Sequence, residues 1–229
     1  MPRYAIYYCP AQTSSLWQFG SAVLGYDSSR AVTVPYPETE LVTAEQFASW
    51  AERPGRYGFH ATLKAPFHLR PGISEAELKE HVRELSTTLS RVALGHLDVT
   101  SIGAFVALTA ASPNPELSRL ASKCVDHLEP IRTPLSQADL ERRMATQLST
   151  RQIELLEFYG YPFVHDEFRF HMTLTGPLKS TERCMALEVL KTLYTPVDQP
   201  TTIDAITLAR QDHPTAKFVV SGRYPFAAR

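Results

Sequence analysis

One string occurs twice in this chain, and it constrains the fold more than any other feature. Phe59-His60-Ala61-Thr62-Leu63-Lys64-Ala65-Pro66-Phe67 and Phe170-His171-Met172-Thr173-Leu174-Thr175-Gly176-Pro177-Leu178 both read F-H-x-T-L-x-x-P, followed by a large apolar residue. Five identities in one frame are hard to reach by chance at ordinary residue frequencies. The flanks agree. Each string precedes a predicted helix, 74–90 and then 181–194, and each helix precedes two predicted strands. Leu97-Asp98-Val99 aligns with Ile203-Asp204-Ala205, and Phe105-Val106-Ala107 with Phe218-Val219-Val220. The chain reads as two copies of strand–helix–strand–strand, an α+β pattern. The expected fold is a bilobed, pseudo-two-fold duplication in which two antiparallel sheets carry outer helices around a central cleft. It forms one domain over 1–229: a first repeat at 1–110, a helical connector or insertion at 111–165, and a second repeat at 166–229.

Local signals place the remaining elements. Residues 3–9 are rich in Tyr and Ile and predict a strand. Helices are expected over 13–24, stopping at Gly25, and over 43–52 behind the N-cap Thr43. Residues 27–42 contain Pro and read as loop. Strands are expected over 56–69, 96–110 with a break near Gly103, 167–175, 202–210 and 216–223. Ser74 and Glu77 form a capping-box pair at the head of the 74–90 helix. In the connector, Ser136 and Ser149 or Thr150 are N-caps for two short helices, 137–146 and 150–159, and Gly160 ends the second.

The strand period decides where the motif side chains go, because residues i, i+2 and i+4 share a face. One face of the first motif strand carries Arg56, Gly58, His60, Thr62 and Lys64, and one face of the second carries Arg169, His171, Thr173 and Thr175. The opposite faces are apolar: Phe59, Ala61 and Leu63, then Phe170, Met172 and Leu174. A single polar face would simply face water. Two matched polar faces related by a pseudo-two-fold axis meet across a cleft instead. Lys64 shares the cleft face by parity and either binds phosphate or lies in solvent at the strand end. Arg169 and Arg56 have the same two readings, with Arg56 the weaker because Gly58 can bend the strand. Tyr57 falls on the apolar face and reads as core, Thr175 as a plain strand residue, and Tyr4, Tyr7 and Tyr8 as packing.

Two imidazoles that titrate near neutrality can divide acid–base work. Neutral, one takes a proton from water or an alcohol; protonated, the other gives one to a leaving oxygen. Threonine hydroxyls can hold non-bridging phosphate oxygens, and cations offset developing negative charge. The set fits in-line attack on a phosphodiester.

The motifs resemble those of the two-histidine phosphoesterases, a superfamily that includes the cyclic phosphodiesterases long called 2′–5′ RNA ligases. The longer strings from Arg56 to Phe67 and from Asp166 to Leu178, with Leu148-Ser149-Thr150-Arg151-Gln152 and Gly160-Tyr161-Pro162, resemble a branch encoded beside genes for bacterial carbon–phosphorus lyase and phosphonate use. The resemblance implies that His60 and His171 are the catalytic pair, that Thr62 and Thr173 hold the phosphate, and that no cofactor is needed. It suggests a ribose cyclic phosphate as substrate, with an RNA-end 2′,3′-cyclic phosphodiesterase and a non-catalytic phosphoryl-ligand sensor as alternatives.

Composition narrows partners. With 229 residues, 44% hydrophobic and 21% charged, the chain is not a disordered one. A formal net charge of -1 argues against generic duplex binding and favours a small phosphorylated substrate over nucleic acid. Cys9, Cys124 and Cys184 form no C-x-x-C pair and read as buried small hydrophobes in a reducing compartment. No segment reads as a signal peptide or a membrane span, so a cytoplasmic protein without a membrane partner is expected. No metal site is expected. Two histidines alone hold zinc poorly, His165-Asp166-Glu167 are consecutive, and His68, His81, His96, His127 and His213 show no ligand pattern.

Overall fold

A computed structural model describes residues 1–145 and 147–227 of the chain. The expected helix end at 146 and the last two residues of the second repeat lie outside the described residues. In chain order the strands are β1 (Arg3–Tyr8), β2 (Tyr26–Asp27), β3 (Val32–Thr33), β4 (Ala61–Phe67), β5 (Val92–Gly95), β6 (Leu97–Ile102), β7 (Phe105–Ala110), β8 (His171–Thr173), β9 (Thr201–Ile203), β10 (Ala205–Gln211) and β11 (Val219–Pro225). The helices are α1 (Ser15–Val23), α2 (Ala44–Ala51), α3 (Glu75–Thr88), α4 (Pro115–Leu128), α5 (Gln137–Met144), α6 (Thr150–Tyr159) and α7 (Ser180–Tyr194). Class and element types follow the sequence reading: α+β, with antiparallel strands.

Seven strands share one sheet in the order β11-β10-β1-β4-β8-β7-β6, while β2–β3 and β5–β9 pair separately. The motif strands β4 and β8 are neighbours at the centre, in register through Ala61↔Met172. On either side of this seam the two copies exchange hairpins. The β6–β7 hairpin follows β4 in sequence but pairs with β8. The β10–β11 hairpin follows β8 but lies beside β1, which in turn pairs with β4.

Helices pack across the sheet: α3 against β10 and β11, α4 against β4, α7 against β6 and β7. Leu78, Val82, Leu128, Leu190 and Leu208 are all buried in the one large core cluster. Each such side chain contributes about 1.5–3 kcal/mol when removed from water. The α3 capping box forms as expected between Ser74 and Glu77, and Thr43 caps α2.

Three elements depart from expectation. First, α4 fills the part of the helical connector before residue 137, where the sequence reading places no individual helix. Asn114 caps it and Pro115 occupies the first turn, a position where the missing N–H costs nothing. Its buried residues Leu117, Leu120, Ala121, Cys124 and Leu128 recur at helical spacing. Second, the strand expected over 56–69 starts only at Ala61, because Pro54–Arg56 forms a 3-10 turn and Gly58 adopts φ +73°. Third, the strand expected over 167–175 shrinks to His171–Thr173, with the N–H groups of Leu174 and Thr175 both reaching the Val106 carbonyl. Among the described residues no helix is long and apolar enough to cross a membrane.

Candidate active site

Period-2 alternation holds at the seam. Ala61, Leu63, Met172 and Leu174 are buried in the core, which turns His60, Thr62, His171 and Thr173 the other way. Antiparallel pairing of Ala61 with Met172 sets His60 beside Thr173 and Thr62 beside His171, one step along the ladder in each direction. Each histidine therefore stands next to the threonine of the opposite motif.

The two imidazoles are held by the same device. His60 Nδ1 donates to the Gly58 carbonyl at 2.9 Å, and His171 Nδ1 to the Arg169 carbonyl at 2.8 Å. A bond from Nδ1 to a carbonyl keeps the proton there in the neutral ring and leaves Nε2 for chemistry. Thr62 Oγ1 lies 3.3 Å from His60 Nε2. A neighbouring strand supplies an aromatic to back each ring: Tyr7 of β1 lies 3.8 Å from His60 between ring centroids, and Phe105 of β7 lies 5.8 Å from His171. Burial pushes the His60 pKa down to about 4, which the Gly58 carbonyl partly offsets and the His171 charge reinforces. His60 is thus neutral at physiological pH.

Gly58 is required for this arrangement. Its φ of +73° disfavours any L side chain, and a Cβ there would lie 2.5 Å from Ser28 Oγ.

The histidines open into adjoining cavities. One of about 400 Å³ is lined by His60, Thr62, Thr173, Tyr57 and Arg53 among others. A second of about 380 Å³ is lined by His171, Arg169, Phe163 and Glu167 among others. Thr62, Ala65, Phe105 and Tyr161 line both. Tyr161 comes from the connector, which therefore forms part of the cleft wall.

Two expected cleft cations lie elsewhere. Lys64 is 3% exposed, bonds Glu129 at 2.9 Å and the Val125 carbonyl at 3.1 Å, and lines neither histidine cavity. The cause is a β-bulge: β1 advances by one residue, Tyr7 to Ile6, while β4 advances by two, Thr62 to Lys64. A bulge flips the parity beyond it, so Lys64 turns into the interior and Ala65 takes the cleft face. Arg56 sits in the 3-10 turn rather than on a strand, and its guanidinium bonds the Pro214 carbonyl. Arg169 does reach the His171 cavity. Thr175 is structural, its Oγ1 accepting from the Val106 N–H at 3.0 Å. Tyr57 is not core: it is 36% exposed and stacks on Phe218 at the cleft edge. Cys184 is exposed, unlike Cys9 and Cys124.

Several lining residues carry no signal in the repeat: Arg3, Tyr7, Arg53, Arg143 and Tyr161. Parity on the first strand groups Arg3 with Tyr7, but only the pairing of β1 with β4 shows which face meets the cleft. Tertiary packing also gathers His81 and Glu84 of α3 with His127 of α4, their ligand atoms within 4.8 Å of one another. That cluster lines neither histidine cavity.

Residues 62–219 match a family described as a protein of unknown function, DUF1045. This chain is a DUF1045 protein. The DUF1045 chain is also similar to two curated proteins, each called ribose 1,5-bisphosphate phosphokinase PhnN. The one from Janthinobacterium sp. (strain Marseille) is 34% identical over 238 residues, covering 100% of this chain and 52% of that protein. The one from Laribacter hongkongensis (strain HLHK9) is 35% identical over 182 residues, covering 79% of this chain and 41% of that protein. The chain spans about half the length, or less, of these curated relatives. Among solved structures, E. coli LigT complexed with 3′-AMP shows 14% identity and a TM-score of 0.41, covering 100% of both chains. A crystal structure described as a phosphoesterase shows 14% identity and a TM-score of 0.43, covering 99% of this chain and 98% of that one.

Proposed function

We propose that this DUF1045 chain is a two-histidine phosphodiesterase that opens a small cyclic phosphodiester, a ribose cyclic phosphate, without recruiting a metal ion. The observation that carries the reading is the paired seam. Two His-x-Thr units stand side by side on adjacent strands, each with Nδ1 tied to a carbonyl and Nε2 left for chemistry.

The roles follow from electrostatics. His60, neutral above about pH 4, takes a proton from the attacking water through Nε2. The water oxygen bonds to phosphorus as the ring P–O bond breaks on the opposite side. His171, protonated at Nε2, gives its proton to the departing oxygen, and the product is a phosphate monoester. The Thr62 and Thr173 hydroxyls donate to the non-bridging oxygens, and Arg169 at the cleft edge adds positive charge. Proton exchange with solvent resets both rings.

The names of the curated relatives supply the ribose phosphate context. A phosphokinase needs a nucleotide-phosphate cradle, and this chain has no G-x-x-x-x-G-K-[ST] string. The phosphodiesterase reading therefore assigns to this half a chemistry different from the one in the relatives' names.

The test is turnover, with excess EDTA, of 2′,3′-cyclic nucleotides, ribose 1,2-cyclic phosphate and short 2′–5′ linked oligonucleotides. Wild type runs beside His60→Ala and His171→Ala. Hydrolysis lost by at least ~100-fold in both variants is expected. Preference for the oligonucleotides selects the RNA-end reading. Binding of the panel without turnover selects the sensor.

A further inference from the structure

The His60 cavity has an extension that the two-histidine chemistry does not use. A third cavity of about 330 Å³ adjoins it, and Arg3, Ala65, Pro66, Arg143 and Tyr161 line both. Arg3 comes from β1 and Arg143 from the last turn of α5, and both line this junction. Both side chains are pre-positioned. Arg3 Nε donates to Gln211 Oε1 at 2.8 Å, a neutral amide that leaves its charge intact. Arg143 donates to the Gly160 carbonyl at 2.7 Å. Burial lowers the basicity of Arg143; the charges of Arg142 and Arg3 lower it further, and Asp139 opposes them.

A second observation comes from Tyr7, whose ring backs His60. Tyr7 is 1% exposed, and among the described residues its hydroxyl has no hydrogen-bond partner. Tyr7 lines the His60 cavity together with Arg3, Tyr57, Arg143 and Tyr161, and on β1 it shares a face with Arg3. A buried hydroxyl without a partner is destabilising, and a ligand oxygen at the junction would satisfy it.

We propose that this junction is a second anion subsite, holding a phosphate monoester carried on the same sugar as the cyclic phosphodiester and gripped by Arg3 and Arg143, with the Tyr7 hydroxyl donating to it. The inference rests on the proposed cyclic phosphodiesterase reading and names its substrate class: a sugar with two phosphoryl groups. Two guanidinium groups match a phosphate monoester, which carries nearly two negative charges at neutral pH. Arginine's planar fork suits phosphate oxygens in pairs.

The experiment compares kcat/KM for ribose 1,2-cyclic phosphate with and without a 5-phosphate, in wild type, Arg3→Met, Arg143→Met and the remote Arg119→Met. Taking the ratio within each variant removes differences in folded fraction. Wild type is expected to prefer the 5-phosphorylated substrate by about 100-fold. That ratio should fall about tenfold in each of the first two variants, mainly through KM, and hold in Arg119→Met. Equal rates on the two substrates in wild type overturn the subsite; an undiminished ratio in Arg3→Met and Arg143→Met overturns its assignment to those residues. Turnover of neither substrate removes the phosphodiesterase reading instead. Calorimetry with ribose 5-phosphate then decides the subsite alone: binding to wild type that is lost in both variants supports it, and no binding to wild type overturns it.

Discussion

In the proposed reaction the chemistry turns on His60, and its environment sets a measurable limit. Its pKa, pushed down to about 4 by burial, places the acid limb of kcat/KM near pH 4 rather than near the usual histidine value of about 6.5. A limb at 6.5 would remove His60 as the free-enzyme base. The same shift acts on stability. Between pH 6.5 and 4 the unfolded chain binds a proton that native His60 refuses, so stability falls as pH drops through that window, by up to about 3 kcal/mol. Chemical denaturation across that range should show a shallower slope for His60→Gln. Tyr7 makes the opposite trade. Tyr7→Phe keeps the ring against His60 and removes an unsatisfied buried hydroxyl, so a gain of about 1 kcal/mol in thermal stability should accompany a raised KM. Gly58→Ala should cost about 1–3 kcal/mol through its left-handed backbone alone, and the shifted carbonyl should also lower kcat by releasing His60. At this scale the sequence was informative about His60, Thr62, His171 and Thr173, because a repeated motif with strand parity needs no tertiary knowledge. It read Tyr7 as packing and was silent on Arg3 and Arg143, because the place of all three depends on which strand or helix lies beside β4.

The bulge in β4 governs the next scale. Parity arguments assume an uninterrupted ladder, and the extra residue between Thr62 and Lys64 breaks that assumption one position past Thr62. Lys64 then joins Glu129 and, through it, Arg132, tying β4 to the turn after α4. Lys64→Met should lower stability by about 1–3 kcal/mol, the cost of leaving a half-buried carboxylate short of one partner. Turnover should stay within about threefold of wild type. A loss of turnover as large as that of His60→Ala, measured on folded protein, would return Lys64 to the substrate. The α4 helix was hidden for a related reason. Asn114-Pro115 reads as loop punctuation, and only the buried spacing from Leu117 to Leu128 outweighs it.

For the whole molecule, the exchanged hairpins matter most. The repeat predicted two similar units, and their elements are present, but local pattern cannot say which strand pairs with which. In the structure β1 depends on β10 for one edge and β7 depends on β8. A fragment of residues 1–110 should therefore lack cooperative melting and native far-UV dichroism, and mixing it with residues 111–229 should restore both. A cooperative transition in 1–110 alone would show that each repeat closes on itself. The interlocked order also bears on biosynthesis. Arg3 finds its strand partner only at Gln211, so a ribosome delivers nearly the whole chain before the first strand acquires both neighbours. Pairings this distant in sequence fold slowly. The cleft between β4 and β8 cannot acquire its β1 wall in place until β10 has been made.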